Sequence, residues 1–445
     1  MSHQMRHSNE IGPLQETNQD IHSFGYKPFR QGTGMKQCQF PIGTLLLATL
    51  AGIGLGYAIV FAGLCATDTI LFDKTGHPGP FDFAEFWSAG KLAMGGKLLA
   101  AYDPRLIHAA EVTTVGHPFK TFIGWFYPPS FFFVAIAMAS AAPVVAFVLW
   151  TNATLLLQSV AIAMITRRWE SAFVALAPPW AMLGTLEGQD GLLTAAITGF
   201  VLITLEERPM LSGLLLALLT YKPQFGLLFP VALAFGGYWR AFFSACAGIV
   251  FLVLITGAVF GFSAWPTFFH ALGGATQSHL VTNAVGVWPG ILSLYGYARW
   301  LHFPYEVAVA LQIMLSAACA ITIAVTWRSK MSFDLKSACL VTGITLATPY
   351  IWVYDLPLLS IALAYLYHNK RFDAIDWTAI ALASVAVATY PFHTFSLLPG
   401  GNVPAGLVSG FLLAGMALRR ILCSKQKCEA KDACGLPSEV AARSI

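Results

Sequence analysis

Charge is scarce in this chain. Asp, Glu, Lys and Arg together make up 11% of its 445 residues, where a water-soluble globular domain carries roughly 25%. Hydrophobic residues make up 56%, and the mean hydropathy is +0.65. A soluble domain is thereby excluded, and an all-α integral membrane protein is expected. An imbalance of sign is lacking too. A net charge of +4, with no arginine-rich run and no basic-aromatic alternation, excludes nucleic acid as a partner and leaves membrane lipids as the surroundings.

Cysteines are few. The eight are Cys38, Cys65, Cys246, Cys319, Cys339, Cys423, Cys428 and Cys434, and none falls in the two long loops expected on the outer side, so no disulfide framework is implied there. The C-terminal trio lacks zinc spacing and a nearby histidine. Elsewhere no acidic or histidine cluster has metal-ligand spacing, and no glycine loop suited to a nucleotide is present, so neither metal nor cofactor is expected. A secretory signal is also missing, because no apolar run follows the early Arg6. Residues 1–40 read as a disordered cytoplasmic tail.

What the chain does have is a succession of apolar segments. The first starts at Pro41 and runs to about Ala66, with Gly52, Gly54 and Gly56 suited to close helix packing. Others lie at about 128–166, 171–187, 189–205, 209–222, 224–236, 240–262, 304–327, 336–351, 353–367, 375–392 and 402–419. Pro143 interrupts the long 128–166 run, which reads either as a hairpin or as a short outer helix followed by one crossing. Basic residues in the short loops (Arg167-Arg168, Arg208, Arg240, Arg328 to Lys336, Lys370-Arg371 and Arg419-Arg420) favour the single crossing if all face the cytoplasm. The result is about twelve transmembrane helices spread over residues 41–423, both termini inside, with 128–140 re-entrant or on the surface. Residues 424–445 form a cytoplasmic tail.

This topology leaves most of the unusual polar residues near membrane depth on the outer face. They are Asp82 and Glu85, Glu187 to Asp190, Lys222 with Gln224, Gln277 to His279, and Tyr350 with Asp355. Intramembrane and near-membrane ionisable groups are expensive and mark function by default. Two outer loops have the length to build a site. In the first, residues 67–127, amphipathic helices are expected: Phe83, Trp87, Gly90 and Met94 share one face, while Glu85, Ser88 and Lys91 share a solvated one. Gly95-Gly96 stops that helix, and Asp103-Pro104 starts the next as N-cap and first residue. The second loop, residues 263–303, carries Trp265, His270, His279, Trp288, Tyr295, Tyr297, Arg299 and Trp300.

These fragments, taken in order, carry a resemblance. Asp82-Phe83 is followed by Trp87-Ser88-Ala89-Gly90-Lys91, Gly95, Tyr102-Asp103, Tyr127-Pro128-Pro129, Gly188-Gln189, Lys222-Pro223-Gln224, Thr348-Pro349-Tyr350 and Tyr354-Asp355. The series resembles glycosyltransferase family 87, multi-span enzymes of the GT-C superfamily. It is similar to the polyprenyl-phosphate-mannose-dependent mannosyltransferases that elongate phosphatidylinositol mannosides. The resemblance implies a hexosyltransferase taking a mannose-like sugar from a polyprenyl-phosphate donor. Its acceptor would be lipid-linked or a glycan, reached on the periplasmic side of a bacterial inner membrane. It also implies that Asp82, at the start of the first outer loop, is the base. The chain departs from the family at Trp87, where tyrosine is common, and the acceptor does not carry over.

The chemistry fits the residues independently. A base must reach the acceptor oxygen, and a carboxylate suits a transition state with oxocarbenium character. Asp82 fills that role, unless it merely caps a helix beginning near Ala84. Charge developing on the leaving phosphate calls for cations or donors, for which Lys222, His279 and Arg299 are candidates. Lys222 also reads as an interfacial lysine whose ammonium snorkels to water, and His279 as a surface residue. Candidates for holding sugar or acceptor are Glu85, Gln189, Gln224, Tyr350 and Asp355. Against these stand plain readings of Glu85 as a solvated residue and of Asp355 as a helix cap. A multi-span transporter or flippase of lipid-linked sugars is the alternative function, although the two halves do not resemble each other as transporter repeats do.

Overall fold

The computed structural model describes residues 81–116, 118–119, 124–174, 178–282, 288–389 and 404–434, with isolated positions 55, 59, 62 and 63. The expected tail 1–40 and most of the first apolar segment lie outside the described residues. Among the described residues every regular element is helical. Four helices among the described residues are long and apolar enough to cross a membrane: Pro143–Thr166, Trp239–Phe260, Tyr305–Arg328 and Ala405–Cys423. At 1.5 Å per residue a 22-residue helix is about 33 Å long, matching a hydrocarbon core of about 30 Å.

The other apolar segments among the described residues form shorter helices, and proline sets many of the boundaries. Proline is tolerated in the first helical turn, where its missing N–H has no partner to lose. In the 128–166 run a short 3-10 turn, Pro129–Phe131, leads into α3 (Phe132–Ala139). The chain then breaks, and Pro143 opens α4 (Pro143–Thr166). α3 has eight residues, about 12 Å, too short to cross alone.

In the first loop, α1 (Phe81–Met94) carries Asp82 in its first turn. α2 (Pro104–Val115) starts as expected: Asp103 Oδ1 accepts the N–H groups of Arg105 at 2.8 Å and Leu106 at 3.2 Å. Asp82 is therefore no N-cap for a helix beginning at Ala84, because the helix already runs through residue 81. α1 lies on α3 so closely that a Cβ on Gly90 would come within 2.0 Å of the Ala135 carbonyl oxygen.

The expected solvated face of α1 is corrected here. Lys91 is exposed, but Glu85 and Ser88 are buried and Met94 is 52% exposed. The physical cause is α2, which packs on that face and joins it through the 2.7 Å Ser88–Thr114 hydroxyl pair. A face that looks polar along one helix becomes an interface when a second polar-faced helix lies against it.

The centre of the bundle is built from α4, α6 (Gly191–Thr204) and α14 (Leu358–Asn369), which pack against one another. Between α4 and α6 runs α5 (Pro179–Glu187). After α6 come α7 (Pro209–Leu218), α8 (Phe229–Gly236) and α9 (Trp239–Phe260). α7 and α9 pair through small residues: a Cβ on Gly213 would meet the Ala241 carbonyl at 2.3 Å, and one on Gly248 the Ala217 methyl at 2.7 Å. Such contacts substitute for a hydrophobic driving force between helices in lipid. The outer side of α9 shows Phe243, Val250, Phe251 and Leu254, as a lipid-facing surface requires.

The second loop begins with α10 (Ala264–Ala275), continues in a π-turn, Thr276–Val281, and ends in α11 (Leu294–Trp300). α12 (Tyr305–Arg328) and α13 (Phe333–Ala347) follow, then α14, α15 (Ala374–Ala388) and α16 (Ala405–Cys434). On the basic side Arg419 and Arg420 hold Asp373 and Asp376 together with the α14 terminus.

Candidate active site

A left-handed turn brings the first of the polar groups into place. α5 ends at Gly188 with φ 64°, where a Cβ would lie 2.5 Å from the Phe147 ring and 2.9 Å from the Phe83 Cβ. Glycine meets both demands at once. The turn delivers Gln189 and Asp190, both buried, to the start of α6. It is fixed further by Trp150, whose indole N–H donates to the Gly188 carbonyl at 2.9 Å.

Gln189 has its amide orientation set. Its Oε1 accepts from the Tyr127 hydroxyl at 3.0 Å and from the Asp190 N–H at 3.0 Å. With the oxygen so engaged, the NH2 end is left to donate, and it bonds the Asp82 side chain. Tyr127 is seated among Phe86, Trp125 and Phe131. A side chain of α1 is thereby joined to the head of α6 through residues more than a hundred positions away.

Lys222 sits opposite. It follows the 3-10 turn Leu219–Tyr221, and its Nζ lies 2.5 Å from Asp190 Oδ1 and 2.7 Å from Asp355 Oδ1. All three side chains are buried. Asp355 closes the 3-10 turn Val353–Asp355, where its Oδ2 accepts the Trp352 N–H at 3.0 Å. The ammonium also lies over the Tyr354 ring, 4.7 Å from its centre. Backbone contact makes this possible: a Cβ on Gly191 would fall 1.6 Å from the Tyr354 carbonyl oxygen. Lys222 is therefore no lysine stretched toward water, and Asp355 pairs with a cation besides capping its turn.

Asp82 is half-buried beside this pair. Burial is the largest influence on its carboxyl and raises it to about 6, with Asp190 and Asp355 acting in the same sense. The Gln189 hydrogen bond and the Lys222 charge work against that rise. A carboxyl tuned near 6 is ionised at neutral pH and still basic enough to take a proton in a transition state. Glu85, one helical turn along, is raised well above its ordinary value by burial, then by the charges of Asp82, Glu111 and Asp190.

Tyr350 lies within electrostatic reach of Asp82, Glu85 and Asp355, and its ring meets Trp352 edge-on at 5.9 Å. Gln224 is half-buried two residues beyond Lys222, and its carbonyl accepts from Thr348 at 3.5 Å. His279 is buried in the π-turn, edge-on to Phe126 at 5.1 Å, next to Tyr127. Arg299 is not brought into the cluster. Its guanidinium donates to the carbonyls of Phe303 at 2.8 Å and Val281 at 3.0 Å and lies over the Trp288 ring. In that position it ties the second loop together.

The sequence reading of candidate residues omitted Asp190, Tyr127 and Glu111. Asp190 stood next to Gln189 in an unusual polar string, and Tyr127 preceded two prolines; both were visible as anomalies without a partner to give them a role. Glu111 offered no signal, since one carboxylate on an amphipathic helix reads as solvated.

A model of glycosyltransferase family 87 matches residues 125–349. That interval contains Tyr127, Gln189, Asp190 and Lys222, and the match covers just over half of the chain. No curated protein and no solved structure matches it.

Proposed function

The chain belongs to glycosyltransferase family 87, and from that premise we propose that it moves a mannose-like sugar from a polyprenyl-phosphate donor to a lipid-linked or glycan acceptor. Membership decides for an enzyme over a transporter. In this reading the protein is a GT-C enzyme of about twelve crossings in a bacterial inner membrane, with its site on the periplasmic side. Asp82 is the general base.

One observation carries the proposal: Asp82 joins a buried polar cluster with Gln189, Asp190, Lys222 and Asp355, contributed by four separate parts of the chain. In the reaction the acceptor hydroxyl oxygen forms a bond to the sugar C1 as the C1–O bond to phosphate breaks. The hydroxyl proton passes to Asp82, and the bonding pair leaves on the phosphate. Gln189 holds the base in line. The Lys222 charge acts on the base, and a bound phosphate competes with Asp190 and Asp355 for it, so donor binding and loosening of this triad go together. Glu85, Gln224 and Tyr350 are proposed to contact sugar or acceptor, and His279 to approach the phosphate from the second loop.

The test uses purified protein with polyprenyl-phosphate mannose, glucose or arabinose as donor and a membrane lipid extract as acceptor. The expected result is transfer from one of these donors, falling by about 100-fold or more in Asp82→Asn without loss of the fold. Transfer from a nucleotide sugar alone would overturn the donor assignment, and full activity in Asp82→Asn would overturn the base.

A further inference from the structure

The reaction leaves one requirement open. Each turnover loads a proton onto Asp82, and that proton must leave before the next. The mechanism uses neither Glu111 nor His108, yet their placement bears on this step.

Glu111 is wholly buried in α2, and among the described residues neither of its carboxyl oxygens has a hydrogen-bond partner. An ionised carboxylate in that position would carry a large desolvation penalty, so the neutral acid is favoured. Burial, followed by the charge of Asp82, raises its carboxyl to about 9. It therefore holds a proton at neutral pH. One helical turn earlier, His108 Nδ1 lies 3.4 Å from Glu111 Oε2, and the His108 side chain is 29% exposed. On the other side, Glu85 on α1 feels both Asp82 and Glu111. The two helices are joined next to these acids by the Ser88–Thr114 contact. Among the described residues, the ionisable groups coupled to Glu111 are thus Asp82 and Glu85 from α1 and His108 from its own helix, while Asp190 and Lys222 act on Glu85.

We propose that Glu85, Glu111 and His108 form the proton exit of the transferase, carrying the acceptor's proton from Asp82 through the first loop to solvent. This rests on Asp82 being the base. Each neutral acid takes a proton on its carbonyl oxygen and releases the one on its hydroxyl oxygen. Asp82 passes its proton to Glu85, Glu85 to Glu111, and Glu111 to His108 Nδ1. His108 releases its Nε2 proton to water and regains its starting tautomer by exchange with solvent. The sum is one proton delivered to bulk and Asp82 restored as carboxylate. Nothing is oxidised or reduced.

The test compares wild type, Glu111→Gln, Glu111→Asp and His108→Gln in the transfer assay with the polyprenyl-phosphate donor and lipid-extract acceptor, across pH and with added imidazole. Glutamine matches the size of glutamate without an exchangeable acid, so Glu111→Gln is expected to melt no lower than wild type. Its kcat is expected to fall by about 10-fold with KM unchanged, a modest share of what acid-base groups contribute. Glu111→Asp should recover part of the rate, and imidazole should restore His108→Gln because that site opens to solvent. An infrared carboxylic-acid C=O band present at neutral pH should vanish in Glu111→Gln whatever the activity. Wild-type kcat and pH profile in Glu111→Gln, or a loss in His108→Gln that imidazole does not reverse, overturns the relay. Absence of transfer by the wild type instead overturns the donor reading, and the infrared band then stands as the measure of Glu111.

Discussion

Lys222 and Asp355 stand 133 residues apart in sequence and meet at 2.7 Å in the interior. Asp190 occupies the other side of the same ammonium. Two buried carboxylates on one cation leave an excess negative charge, and removing the cation leaves both without compensation. Lys222→Met is therefore expected to destabilise the protein by about 3–5 kcal/mol, the usual cost of orphaning a buried charge. Thermal unfolding in detergent measures it, and adding Asp190→Asn and Asp355→Asn to the same chain should recover much of the loss.

The closest backbone approach in the site is Gly191 against Tyr354. Alanine there would place a methyl carbon 1.6 Å from a carbonyl oxygen, so α6 and the 353–355 turn must separate. Overpacking of this kind costs about 1–3 kcal/mol or more. Gly191→Ala should lower the melting temperature and weaken transfer together, whereas Gly226→Ala, where a Cβ meets nothing within 4 Å, should do neither.

Gln189 lowers the affinity of Asp82 for its proton. Gln189→Leu removes that hydrogen bond, so Asp82 should hold its proton to higher pH. With Asp82 as the proposed base, activity in the wild type is expected to fall as pH drops through about 6, the value to which burial lifts its carboxyl. In Gln189→Leu the same limb should lie at higher pH. The pH dependence of kcat/KM reads it directly, because it reports the free enzyme.

Glu111 makes stability depend on pH with a definite sign. Its carboxyl is raised from 4.5 to about 9 by folding, so the folded state favours the protonated form. The associated stability is fully present below pH 4.5 and is lost as pH rises toward 9. Glu111→Gln should therefore flatten the melting temperature between these limits, with its largest gain over wild type on the alkaline side.

Much of this architecture was legible in the residues. Scarcity of charge dictated a helical membrane protein, Asp103-Pro104 dictated where α2 begins, and Pro143 dictated where the 128–166 run breaks. The candidate site was legible as a set of anomalies: Asp82, Gln189, Lys222 and Asp355 are each costly near a bilayer, and each belongs to the cluster. Their pairing was not. Lys222 finds Asp190 and Asp355 through contacts across distant segments, which no local spacing encodes. The solvated face assigned to Glu85 and Ser88 failed for the same reason, because helical periodicity tells which residues share a face and not what lies against it. Arg299 illustrates the converse: a cation in a loop rich in aromatics looks available for a ligand until the carbonyls of Val281 and Phe303 are found around it.

The missing side chain at Gly90 has a mechanical outcome. With the Ala135 backbone pressed against it, α1 cannot shear along α3 without collision. The helix bearing Asp82, the proposed base, is thereby pinned to the short helix that precedes α4, and any opening that admits a substrate is left to the elements on its other sides.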